Sequence, residues 1–399
     1  MDKVSAGDET YRELSIFTSV LDKIRDDYVE VPDMDRALKG ALHGMMEALD
    51  PFSSFVDAAT YEALESRVSG AGVGVTVSRR YGYAYVVSVV KGSPADLGGL
   101  RSGDFIESID GKASGLMSLW EAQRLLSGPE GSEVGVRVLR SRATQPQELK
   151  LVREVLEPLE VKARIVENNI GILVIPNFRE GVSDLVRSRI KMLLSREVAG
   201  LVIDVRGCAE GLIEEAASAG DQFLPRGSVI LRIRRNGEEV REFVSSDEPL
   251  LEEFPIVLLV DGGTSGVGEV FAAALNDNGV AKLVGQRTNG RGSLQERFRL
   301  EEGSVLFVTT RLLYRPSEEP IQAEDIRKSG LKPGVLSPDR DFVTSFYLEN
   351  APEEGEREFA PDFYRKLDEA IEVEQFETGL EQVKEEIDSF HQLSREKAA

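Results

Sequence analysis

Apolar residues recur along this chain with two periods, and the switches between them divide it. Leu14, Phe17, Leu21, Ile24 and Tyr28 are spaced 3, 4, 3 and 4 apart, the stripe of an amphipathic helix, so residues 11–28 are predicted helical. Beyond Pro32, Leu38, Ala41, Leu42, Met45 and Met46 predict a second helix over residues 35–49. Between residues 70 and 140, short apolar runs at 73–77, 85–90 and 134–139 are cut by glycine-rich turns, which predicts strands; residues 119–126 read as a helix. Residues 161–175 hold a strand pair. Val182, Val186, Ile190 and Leu193 mark a helix over 183–194. Residues 199–205 and 256–260 are continuous apolar runs of strand length, the pattern of parallel strands buried on both faces. Helices follow at 216–223 and 269–275, and strands at 229–234 (with Asn236-Gly237 as a turn signal), 281–284 and 304–314. Val373, Phe376, Leu380, Val383, Ile387 and Phe390 repeat at gaps of 3, 4, 3, 4 and 3. That heptad seam is short for a free-standing coiled coil, and Gly379 weakens it. It is expected to pack on the N-terminal helices, in the same chain or across a dimer.

The order of elements predicts a mixed α/β and α+β multidomain chain, divided into residues 1–68, 69–155, 156–345 and 346–399. The first is helical and the second a β module. The third alternates strands and helices, and the last is an acidic helical tail. A length of 399 residues is enough for two or three domains with a sizeable core. The net charge of −22 disfavours nucleic acid and anionic membranes, whose phosphates need clustered cations. One cysteine, Cys208, and two histidines, His43 and His391, leave no disulfide and no Cys- or His-rich metal site, and they speak against a Ser-His-Asp triad. No metal and no cofactor is expected. There is no run of eighteen apolar residues, and the opening MDKVSAGDETY is polar, so neither a spanning helix nor an export signal is expected in this chain.

Candidate chemistry gathers in residues 256–295. A buried strand, the turn Asp261-Gly262-Gly263-Thr264-Ser265-Gly266, a helix, a short strand and the loop Thr288-Asn289-Gly290-Arg291-Gly292 follow one another. This places the turn at the carboxyl edge of a sheet, where α/β proteins keep reactive groups.

This stretch resembles the carboxyl-terminal processing, or tail-specific, peptidases, serine peptidases with a Ser/Lys dyad and an embedded PDZ domain. Their turn reads roughly N-x-G-S-A-S-A-S-E-I and their second loop T-F-G-K-G-x-x-Q. Anchored on Glu269, Gly290, Gly292 and Gln295, the alignment puts Gly266 at the nucleophilic Ser and Arg291 at the general-base Lys. The separation, 291 − 266 = 25, is the family's own. Gln295 keeps the position that orients the Lys. Residues 204–212 (DVRGCAEGL) stand where the family has D-L-R-x-N-P-G-G-L, so Glu210 takes the place of a glycine whose N–H serves the oxyanion hole. Residues 70–77 (GAGVGVTV), 92–95 (GSPA), 98–104 (GGLRSGD) and 106–111 (IESIDG) resemble a PDZ module. The resemblance implies that Gly72, Val73, Gly74 and Val75 form its carboxylate-binding loop and following strand. It further implies a crotonase/ClpP-like core and a periplasmic or otherwise extracytoplasmic location, with the cytoplasm as the alternative.

The departures bear on chemistry. Glycine has no side chain to attack a carbonyl, and Arg does not deprotonate in proteins, so both halves of the nucleophile–base pair are missing. A carboxylate at Glu210 opposes the charge an oxyanion hole stabilises. The expectation is a pseudopeptidase that binds protein or peptide C-termini through its PDZ groove. It would scaffold an active peptidase relative, or form a homodimer through its terminal helices. The alternative is an active endopeptidase with a relocated nucleophile at Ser265, Thr264 or Ser293, Lys282 being the nearest lysine. Cys208 is expected to be a small buried thiol. Arg291 is expected to form an ion pair with Glu210 or Glu269.

Overall fold

The computed structural model describes residues 2–66, 70–140, 145–323, 328–337 and 361–398. Two helices open the chain, α1 (Asp2–Asp27) and α2 (Met34–Glu47). Helix α2 starts where Asp33 accepts the Arg36 N–H, an N-cap that satisfies an otherwise orphan donor. A short strand β1 (Ser54–Val56) and helix α3 (Ala58–Glu65), capped by Asp57, follow. Neither was evident from periodicity, because three strand residues are too few to show a period.

The β module contains β2 (Val75–Arg80), β3 (Tyr83–Val89), the one-turn α4 (Pro94–Leu97), β4 (Phe105–Ile109), α5 (Leu119–Leu126), β5 (Glu133–Leu139) and β6 (Gln147–Val152). The strands form one antiparallel sheet in the order β2-β3-β4-β5-β6, so β2 lies at its edge. Alternate residues Val134, Val136 and Val138 of β5 are buried, the period-2 pattern of a half-buried strand. Helix α5 carries a reciprocal capping box between Ser118 and Glu121. Glu154–Val155 pairs with Ala71–Gly72, bringing the module's two ends together.

The core begins with β7 (Lys162–Val166) and β8 (Ile170–Val174), then α6 (Val182–Leu194), β9 (Gly200–Asp204) and α7 (Ile213–Asp221). Next come β10 (Val229–Arg235), β11 (Glu238–Val244), β12 (Ile256–Val260), α8 (Val267–Asp277) and β13 (Lys282–Gly285). The chain continues through β14 (Ser293–Arg299), β15 (Val305–Tyr314) and β16 (Val335–Leu336) to α9 (Pro361–Ala398). The central sheet runs β7-β8-β9-β12-β13-β16, parallel except for β7. A second, antiparallel sheet runs β1-β15-β10-β11, with β14 also on β15. All five residues of β12 are buried, as its continuous apolar run requires. Val182, Val186, Ile190 and Leu193 of α6 are the buried stripe, and α6, α7 and α8 cover one face of the central sheet.

The other face corrects an expectation. Within this chain, among the described residues, helix α9 packs on the central sheet and not on α1 and α2. It lies across β9, β12 and β13, where Phe376, Leu380, Val383 and Ile387 close a core with Ile172, Val202, Val257 and Leu259. The heptad seam is the stripe by which a helix covers a sheet. Gly379 serves this packing, since a Cβ there would lie 2.6 Å from Leu259 Cδ2. Arg206 reaches α9 through the Glu372 carbonyl at 2.9 Å and Gln375 Oε1 at 3.1 Å. Among the described residues no helix is long and apolar enough to cross a membrane.

Candidate functional site

Strand β12 delivers the turn 261–266 at its carboxyl end. Asp261 Oδ1 accepts the N–H groups of Gly207, Gly263 and Thr264 at 2.9, 3.0 and 2.9 Å, so one buried carboxylate shapes both this turn and the loop after β9. Burial holds that carboxyl above its ordinary range. At the end of the turn Gly266 has φ 54° and ψ −108°, a conformation that L side chains rarely adopt and that costs about 1–3 kcal/mol for them. A strained strand-to-helix turn is the geometry that exposes a nucleophile at the top of a sheet. Here the strained position carries no side chain. A Cβ at Gly266 would meet one atom within 4 Å, the Arg291 carbonyl oxygen at 3.9 Å.

Glu269, one turn into α8, binds the two loops together. Its Oε2 accepts the N–H groups of Gly266 and Arg291, both at 2.9 Å. Its Oε1 accepts the Gly290 N–H at 2.6 Å and the Thr288 hydroxyl at 2.5 Å. Glu269 is fully buried, and burial pushes its carboxyl up to about 7 against the opposing pull of these four donors. The turn ending at Gly266 and the loop carrying Arg291 are thus held in fixed register by one side chain.

Arg291 does not make the expected ion pair. Its backbone, not its guanidinium, engages Glu269, and Glu210 pairs instead with Arg179 at 2.8 Å. Glu269 has no oxygen to spare, which is the physical reason. Among the described residues the Arg291 side chain donates no hydrogen bond. It is largely buried and lies over the Phe52 ring, 5.9 Å from the centroid. Burial draws its pKa down while Glu269 opposes, without bringing an Arg near the range where it could act as a base.

Gln295 is turned elsewhere. Its Nε2 donates to Ser293 Oγ at 2.9 Å and to Thr309 Oγ1 at 3.0 Å, and the Thr309 hydroxyl donates to Asp50 Oδ1 at 3.1 Å. The N-terminal segment, read as a packing unit, therefore supplies Asp50 and Phe52 to the site's surroundings. Nothing in its helical periodicity marks either residue.

Glu210 is half-exposed and reaches Thr76 Oγ1 on β2 at 3.4 Å as well as Arg179. Two glycines of this loop have positive φ, Gly207 at 68° and Gly211 at 140°. At Gly211 a Cβ would sit 2.3 Å from the Phe178 backbone, so the strand-like contact Phe178–Gly211 needs the second glycine position.

Each alternative nucleophile is buried and already bonded. Thr264 Oγ1 donates to the Val205 carbonyl at 2.9 Å. Ser265 Oγ accepts Asn289 Nδ2 at 3.0 Å, and Ser293 Oγ accepts from Gln295. The Lys282 ammonium pairs with Glu386 at the surface. The Cys208 thiol is fully buried, and burial pushes its pKa up. Among the described residues no group of three or more His, Cys, Asp and Glu could hold a metal ion.

In the β module, the Val73 and Gly74 carbonyls accept from Ala95 and Val90, both at 2.8 Å. Among the described residues neither N–H of Val73 and Gly74 has an acceptor. Gly74 has φ 82°, and a Cβ there would clash with Ser93. The loop thus presents donors next to the free edge of β2, with α5 packed beside that strand.

Residues 169–335 match Peptidase family S41 and residues 85–140 match the PDZ domain. A carboxy-terminal-processing protease of Bartonella bacilliformis is 33% identical over 319 residues, spanning 78% of this chain and 73% of that one. The carboxy-terminal processing protease CtpA of Bacillus subtilis is 28% identical over 349 residues, 86% and 72% of the two chains. The photosystem II D1 C-terminal processing protease superposes with a TM-score of 0.67 at 26% identity, over 79% of this chain and 86% of that one. The fold and these relatives define a PDZ-bearing S41 peptidase architecture. This chain belongs to the carboxy-terminal-processing protease family.

Proposed function

We propose that this chain is a pseudopeptidase: a family member that engages protein C-terminal tails through its PDZ groove without hydrolysing them. The observation that carries this reading is Gly266. It occupies the strained turn where a nucleophile would stand, in register with Arg291 through Glu269. The scaffold around the dyad is kept while both reacting groups are replaced. A peptide added as a strand beside β2 would place its terminal carboxylate on the Val73 and Gly74 N–H groups.

A scaffolding role follows from binding without turnover. Leu14, Ile16 and Val20 of α1 are exposed and offer a surface for a second copy or an active relative. We place the protein outside the cytoplasm, on the family resemblance alone; fractionation of the source cells tests this.

The direct test incubates the chain with an unfolded protein that ends in an apolar tail. Capture of that protein, with its mass unchanged and with capture lost on Gly72→Glu, supports the reading. Truncation of the tail contradicts it.

A further inference from the structure

We propose that the converted dyad is itself a carboxylate receptor: Arg291, seated on Phe52 beside the Gly266 turn, takes the α-carboxylate of a peptide C-terminus. The proposal rests on the non-hydrolytic reading above and adds a second ligand site to it, apart from the PDZ loop.

A cation partly withdrawn from water is stabilised by an anion or acceptors around it. Two other partly buried arginines of this chain have them. Arg206 is bidentate on Asp204, with its nearer contact at 2.7 Å, and Arg140 meets Asp104 at 3.0 Å. Arg291 has no such partner. Its guanidinium donates to no acceptor and has no carboxylate within 4 Å among the described residues, while one face is covered by Phe52. Glu269, whose charge the guanidinium feels, already accepts four donors and makes no direct contact with it. Glu210 pairs with Arg179.

The surroundings suit an incoming carboxylate. The Gly266 turn leaves room for a Cβ, which would meet only the Arg291 carbonyl, at 3.9 Å. The Arg loop is fixed by its own backbone bonds to Glu269, so the cation is positioned before a ligand arrives. A planar guanidinium matches a carboxylate with two parallel N–H···O bonds, which an ammonium cannot do. In an active relative a Lys here must lose its proton. An Arg keeps its charge at every accessible pH, which suits retention of an anion. A C-terminal carboxylate is also the group that peptide cleavage creates, so the site would hold an already processed tail.

The test is calorimetric titration of the full chain carrying Gly72→Glu, which disables the PDZ loop, with N-acetyl-Leu-Ala-Ala as the free acid and as the C-terminal amide. The acid should bind about tenfold or more tighter than the amide, the preference expected of a charge-assisted pair. Arg291→Met in the same background should abolish the preference, and Arg291→Lys should reduce it. Equal binding of acid and amide, or no binding of either, overturns the proposal, and this comparison needs no change at Arg291. An unchanged preference in a folded Arg291→Met chain overturns it as well. Turnover of the acid, read by mass, defeats the non-hydrolytic reading instead and is distinguishable from a loss of binding.

Discussion

Glu269 gives a sharp test of how the two loops are held. Its carboxyl lies at about 7 in the folded chain, against 4.5 as its ordinary value. Below pH 4.5 it is protonated in both states and has no effect. Between 4.5 and 7 the unfolded chain releases the proton and the folded chain retains it, so stability falls as pH rises. The slope is about 1.4 kcal/mol per pH unit, so the loss reaches about 3 kcal/mol by pH 7 and changes little above. Glu269→Gln removes this titration. The amide, like the protonated acid, keeps one plain acceptor oxygen, so it stands in for the form that the folded chain holds at pH 5. The variant should therefore be close to the natural chain in stability at pH 5 but flatter between pH 5 and 7.5. The assay is urea unfolding of both chains at several pH values. The difference in stability between them should move in the variant's favour by about 2–3 kcal/mol over that range. A constant difference would refute the argument that a buried, titrating carboxylate ties the loops.

Gly266→Ser should cost about 1–3 kcal/mol, read by thermal unfolding, because the turn demands φ 54° although space is available; no cost would mean that the turn relaxes. Val383→Ala removes two buried methyl groups from the α9–sheet core and should cost about 2 kcal/mol in chemical denaturation; an unchanged midpoint would place α9 off the sheet. Arg206→Met cuts the ties to Gln375 and the Glu372 carbonyl. It should speed proteolytic cleavage in α9 without altering the digestion of the β module.

The strand-turn-helix of residues 256–277 was readable because burial on both faces forces an unbroken apolar run and the turn then needs small residues. The spacing of Gly266 and Arg291 was readable for a related reason, since the intervening helix and strand fix the loop-to-loop distance. What periodicity could not reveal was the identity of a partner. The stripe of Val373 to Ile387 announces a buried face, yet a helix packed on a helix and a helix packed on a sheet share that stripe. Gly379 became interpretable only beside Leu259. The expected ion pair of Arg291 failed because sequence does not show that Glu269 is already saturated by backbone donors. Gln295 was placed by its spacing, but its amide turned to Ser293 and Thr309, a choice set by Asp50 from the far end of the chain.

The most direct measurement follows hydrolysis of an unfolded protein with an apolar C-terminus by mass, comparing the natural chain with a Gly266→Ser, Arg291→Lys double variant. The account predicts no cleavage above background by the natural chain, and any recovery of activity only in the double variant, whose loops Glu269 still holds in register. Cleavage by the natural chain that survives purification and is lost on Ser265→Ala or Ser293→Ala would contradict the central claim.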